Sequence, residues 1–95
     1  MSQEVGNAGR SEDVTLVFEP QSGGSVPERE PRTNTLRQFV AAVFSRLNVT
    51  NAIQPTVQKR DTGNLLNLDA TIEALRLDNG DKLNLAWQAS GGAHE

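Results

Sequence analysis

Residues 34–49 read NTLRQFVAAVFSRLNV, and their apolar members fall on one side of a helix. Leu36, Phe39, Val40, Val43, Phe44 and Leu47 keep the i, i+3, i+4, i+7, i+8, i+11 spacing of a single face. Asn34 or Thr35 can act as the N-cap, accepting an otherwise unpaired first-turn N–H, and Asn48 stands near the expected end. The spacing predicts one amphipathic helix of about four turns. Such a stripe must be buried, and no second helix of this length exists to bury it.

The partner has to be a sheet, and the flanking sequence supplies one. Upstream, VTLVFE (14–19) alternates Val14, Leu16 and Phe18 with Thr15 and Val17. That is a strand, and the apolar Val17 suggests cover on much of both sides. The segment between strand and helix, PQSGGSVPEREPRTN (20–34), is rich in proline and glycine. A strand from Val26 to Arg32 fits only at a sheet edge, because Pro27 and Pro31 cannot donate to a ladder. Downstream, NAIQP (51–55) reads as a turn, and TVQKRDTGNLLNL (56–68) as two short strands joined at Asp61-Thr62-Gly63. DATIEALRL (69–77) predicts a short helical turn, capped by Asp69 or Thr71, with Ile72 and Leu75 inward. Asn79-Gly80 supplies a tight turn. KLNLAW (82–87) then alternates Leu83, Leu85 and Trp87 inward with Asn84 and Ala86 outward. Residues 1–12 show no periodicity and are expected to form a disordered arm.

One helix cannot cover two sheet faces, so the order predicts a single mixed sheet of four to five strands wrapped around the helix. The first and last strands, the most apolar, are expected to be central, parallel neighbours. The helix stripe should face Leu16, Leu83 and Leu85. This is the α+β architecture called the β-grasp.

Composition bounds the chemistry. At 95 residues, with 36% apolar and 4% aromatic residues, this is one small domain whose core comes mainly from Leu, Val and Ala. A net charge of −3 argues against nucleic-acid or acidic-membrane partners, which call for a basic stripe. The absence of cysteine excludes disulfides, thiolate metal sites and a nucleophilic thiol. No apolar run spans a membrane and no secretory signal is visible, so a cytoplasmic protein is expected. His94 is the sole histidine, too isolated for a triad or a metal centre. Glu28, Glu30 and Asp61 form no convergent pair in the sequence, so acid–base catalysis has no candidate. The reading is not an enzyme, with no cofactor and no metal.

VTLVFEP (14–20), the helix, the TG-NLL hairpin (62–66) and LDATIEALRLDNGDKLNLAW (68–87) together resemble the ubiquitin-like family over residues 13–92. The last piece carries most of the resemblance, for many ubiquitin-like proteins have a T-[LI]-x-x-L turn, then G-D, then an alternating strand. Aligned without gaps from Lys82, KLNLAWQASGG (82–92) matches the final strand and tail of ubiquitin, and Gly91-Gly92 falls on its terminal diglycine. The helix and hairpin are also similar to the small ubiquitin-like subunit of type VII secretion systems. The expected organisation is an arm over 1–12, a ubiquitin-like domain over 13–88 and a tail over 89–95.

The resemblance implies a prokaryotic ubiquitin-like modifier, cut between Gly92 and Ala93 and conjugated through the Gly92 carboxylate. The partners would be an activating enzyme using ATP and Mg²⁺, a conjugating enzyme, a JAB-like or cysteine deconjugating protease, and target proteins. Two residues without Cβ suit a tail threaded through narrow clefts. Ala93, His94 and Glu95 would then block the reactive end until processing. Other readings stand beside this one: a passive tail (Gly23-Gly24 shows a diglycine in a loop), a noncovalent subunit of a secretion-associated complex, and a sulfur carrier. Arg60 and Ala86 fall where ubiquitin carries its apolar binding patch, which implies different partner surfaces. Trp87 either closes the core or anchors a partner. Lys59 and Lys82, the only lysines, are candidate acceptors for self-conjugation or ordinary surface charges.

Overall fold

The structure, a computed structural model, describes residues 13–89; the expected arm and the tail from Ser90 onward lie outside the described residues. Strands β1 (Asp13–Pro20), β2 (Val26–Pro31), β3 (Ala52–Lys59) and β4 (Lys82–Ala89) form one sheet in the order β2-β1-β4-β3. Helix α1 (Leu36–Leu47) crosses one face, and a single turn, α2 (Ile72–Leu75), precedes β4. β1 and β4 are the central parallel pair, while β1–β2 and β3–β4 are antiparallel. This is the β-grasp.

Local chemistry explains each boundary. Thr35 caps α1 in a capping box: its hydroxyl accepts from the Gln38 N–H and the Gln38 side chain accepts from the Thr35 N–H. Two further first-turn donors, the N–H groups of Leu36 and Arg37, bond the carbonyls of Ala70 and Leu68. That fastens the loop before α2 to the helix start. Asn48 ends the helix in the left-handed region. Gly80, at φ 86°, turns the chain into β4. Asn79 beside it accepts from the Thr15 N–H through its side chain, which fixes the turn to β1.

The core is sealed by Val14, Leu16 and Phe18 of β1, Leu83 and Leu85 of β4, and Leu36, Phe39, Val40 and Val43 of α1, with Val57, Ile72 and Leu77. Four expectations are corrected. Phe44 and Leu47 continue the stripe but are only half-buried, since α1 overruns the sheet's cover there. NAIQP is strand rather than turn: β3 begins at Ala52 and absorbs Gln54-Pro55 as an irregularity. The segment after Gly63 makes an isolated bridge between Leu65 and Gln58 in place of a full strand. Thr15, Val17 and Glu19 are half-buried by lateral neighbours alone, because no second layer covers the outer face among the described residues.

Candidate functional site

The expected site residues gather at the exit of β4. This strand is paired on both sides almost to its end. Leu85 registers with Pro20 on β1, and the ladder continues one residue further through Gln21 by the alternation of a parallel pair. The Gln21 N–H donates to the Leu85 carbonyl, and the Gln21 side-chain oxygen accepts from the Trp87 N–H at 2.8 Å. On the other side β3 follows β4 as far as the Ala52–Ala89 pair. Pairing therefore runs to within two residues of Gly91. Gly91 and Gly92 themselves, with His94, lie outside the described residues.

Trp87 faces the helix side and is half-buried, with its ring edge-on to Phe44 at 5.1 Å between centroids. It closes the core and keeps one flank open at once. Across from it β3 carries an extra residue. Ala52 and Ile53 register with Ala89 and Gln88, whereas Thr56 and Val57 register with Ala86 and Leu85, so the register slips by one between them. Gln54 absorbs the slip with φ at 51°, a region that side-chain-bearing residues avoid. The consequence falls on Ile53. Without the slip it would oppose Ala89 and point toward the helix; with it, Ile53 opposes Gln88 on the outer face and is 42% exposed. Asn51 and Pro55 give this segment the composition of a turn, which masks Ile53 as a strand residue.

Ala86 is exposed on the same outer face, opposite Thr56. Arg60 lies beyond the end of β3, where its guanidinium donates to Glu19 at 2.8 Å across β4. Gln58 and Asn84 stand between Ala86 and Arg60, so the two do not form one patch. Lys59 is half-buried opposite Leu83, and Lys82 is exposed at the start of β4, far from the tail.

Glu28 and Glu30 do converge, contrary to expectation. Alternation puts both on the helix-facing side of β2, a period-two signal present in the sequence. Glu28 is 5% exposed, the one buried charged residue among the described residues, and accepts from the Arg46 Nε of α1. Glu30 accepts from the Asn34 side chain at 2.8 Å. Burial, opposed by the Asn34 hydrogen bond and reinforced by the nearby Glu28, raises the Glu30 carboxyl above its ordinary value. The pair fastens β2 to α1 and opens onto no cleft: the described residues enclose no pocket, and none group as a metal cluster. No described helix is long and apolar enough to cross a membrane.

No protein-family model and no curated protein matches this sequence. Solved structures do. An archaeal ubiquitin from Caldiarchaeum subterraneum superposes with TM-score 0.62 at 20% identity, over 84% of this chain and 99% of that one. A protein designed on the basis of ubiquitin gives 0.66 at 15%, over 86% and 96%. A chain from a structure of SUMO mimicry in DNA repair gives 0.69 at 11%, over 78% and 90%. The fold is ubiquitin-like. At these identities the likeness is one of backbone, and the mixed four-stranded sheet with its one main helix accounts for it.

Proposed function

We propose that this ubiquitin-like protein is a modifier, cut after Gly92 and joined through the Gly92 carboxylate to amines of target proteins in a prokaryotic cytoplasm. The observation that supports the reading most is positional. In a fold shared with ubiquitin, the last strand is central, paired through Ala89, and followed almost at once by Gly91-Gly92. A rigid strand presents the tail, and the two glycines leave its backbone free to enter a cleft.

The chemistry is carried by partners. A protease hydrolyses the Gly92–Ala93 bond and leaves a free carboxylate. That carboxylate attacks the α-phosphorus of Mg²⁺-bound ATP, forming an acyl-adenylate and releasing pyrophosphate. A cysteine thiolate of the activating enzyme displaces AMP to give a thioester, which passes to a cysteine of the conjugating enzyme. A target amine then displaces that thiol and forms the amide, with loss of one proton. The chain itself contributes presentation and recognition, and no residue of it is assigned a catalytic role. A JAB-like or cysteine protease would reverse the last bond.

The test is an adduct assay in extract of the source cells. Protein ending at Gly92 is expected to form an ATP-dependent, thiol-labile adduct, and Gly92→Ala is expected to reduce it severely with folding unchanged. A chain whose partner binding survives deletion of everything after Ser90, and which forms no such adduct, is a noncovalent binding subunit instead.

A further inference from the structure

The turn Asp78-Asn79-Gly80-Asp81 leads into β4 and is clamped to β1 by one residue, Thr15. The Thr15 N–H donates to Asn79 Oδ1 at 2.8 Å, and the Gly80 N–H donates to the Thr15 carbonyl at 2.8 Å. The two groups held this way are the two that react with each other in an Asn-Gly pair. We propose that Asn79 is a site of spontaneous covalent modification, passing through a cyclic imide to an aspartyl or isoaspartyl residue, and that the Thr15 clamp gates this reaction in the folded chain.

The Gly80 nitrogen attacks Asn79 Cγ and forms a new N–C bond. The bond from Cγ to the side-chain nitrogen breaks, and ammonia leaves with the Gly80 proton. Water then opens the imide at either carbonyl, and no oxidant or reductant is needed. Of the asparagines in the chain, Asn79 alone precedes a glycine, whose missing Cβ leaves the attacking nitrogen uncrowded. Nothing stands within 4 Å of where a Gly80 Cβ would lie, and both residues are exposed, so water reaches the imide. Attack requires the Gly80 N–H to give up its proton and the Asn79 carboxamide to swing onto that nitrogen. Each movement breaks one bond to Thr15, so the reaction runs from the opened turn. Asp81 steadies the closed turn: its side chain accepts from the Asp78 N–H at 2.9 Å, and its carbonyl accepts from the Val17 N–H.

The isoaspartyl product undoes the clamp. In it the former Asn79 Oδ1 and the Gly80 N–H belong to one peptide group, and in a trans peptide they point in opposite directions. They can no longer both meet Thr15. The start of the β1–β4 pairing loosens, while the helix-facing core, which the turn does not enter, stays sealed.

The experiment incubates the full chain at neutral pH, folded in buffer and unfolded in urea, and follows the tryptic peptide Leu77–Lys82. Its mass rises as NH is replaced by O, and chromatography separates its aspartyl and isoaspartyl forms. In the unfolded chain Asn79 is expected to react ahead of every other asparagine. Folding should slow it about tenfold or more, as two hydrogen bonds that must open require. Asp81→Ala loosens the turn without touching a reacting atom, and should react about threefold faster than folded wild type, with amide exchange elsewhere in the sheet unchanged. Folded protein carrying the isoaspartyl linkage should exchange its Thr15 amide about tenfold faster than unmodified protein, whereas Asn79→Asp, which keeps the main-chain length and an acceptor, should stay within about threefold. Another asparagine reacting first in urea overturns the site. Folded wild type reacting as fast as the unfolded chain or faster, or Asp81→Ala no faster than wild type, overturns the gate. Unchanged Thr15 exchange in the isoaspartyl form overturns the loosening.

Discussion

The two ends of helix α1 are buried in different ways. Its first turns carry Leu36, Phe39, Val40 and Val43, which are sealed against Val14, Leu16, Phe18, Leu83 and Leu85. Its last turn carries Phe44 and Leu47, both half-buried, with the Phe44 ring edge-on to a half-buried Trp87. Here a polar tie takes over, with Arg46 donating to the buried Glu28 of β2. The same apolar period thus serves stability at one end and leaves an open aromatic flank at the other. The open end is where β4 exits toward the diglycine and where Ile53 is turned outward. Burial and the proposed function divide along the length of one helix.

Substitution can break or sharpen that division. The largest effect is expected at the sealed end. Phe39→Ala removes a fully buried ring and should cost about 3–5 kcal/mol, against roughly 1–2.5 for Phe44→Ala, whose ring is already partly in water. Urea unfolding of both variants checks the ratio; equal losses would erase the distinction between the ends. Next comes the polar tie. Arg46→Ala strands a buried carboxylate and should cost about 1–3 kcal/mol, more than Arg37→Ala, whose partner Asp69 is exposed.

Glu30 offers a smaller and pH-dependent contrast. Its carboxyl is raised above the ordinary 4.5 by burial first, with Glu28 adding to the shift. A raised carboxyl favours the folded state while protonated; that contribution is complete below the ordinary value and is lost as pH rises through the raised one. Glu30→Gln keeps an acceptor for Asn34 and removes the charge. It should melt about one or two degrees above wild type at pH 7, a small gain because solvent screens a half-buried group. The gap should close as pH falls below the ordinary carboxyl value. A gap that widens in acid would contradict the direction. Smallest of all, Ile53→Thr should leave stability within about 0.5 kcal/mol in the same urea unfolding, because the side chain is already 42% exposed.

Much of this was legible in the sequence, for identifiable reasons. The stripe from Leu36 to Leu47 shows a period only a helix has, and Pro27 and Pro31 confine β2 to an edge. Leu83 and Leu85 share an alternation that only a half-buried strand explains. The misses are equally physical. Asn51 and Pro55 look like turn chemistry, and a register slip at Gln54 is set by the partner strand, which no local pattern encodes. Ile53 was lost with it. Glu28 and Glu30 sit two apart and share one face of β2, but Pro27 and Pro31 beside them break the alternating pattern that would mark that face as turned to the helix. For Arg60 the sequence supplied a position in a family pattern, whereas the ion pair with Glu19 depends on β1 and β4 lying side by side.

The functional claim turns on a covalent bond, and trypsin reads it directly. The last basic residue before the diglycine is Lys82, so digestion of proteins from the source cells should release target peptides whose lysines carry the branch LNLAWQASGG, Leu83 to Gly92. Detection of that branch on lysines of other proteins, lost in cells carrying Gly92→Ala, is the expected result. Recovery of this segment only as a linear peptide that runs on through Gly92 into Ala93, with no branched lysine, would contradict conjugation through Gly92.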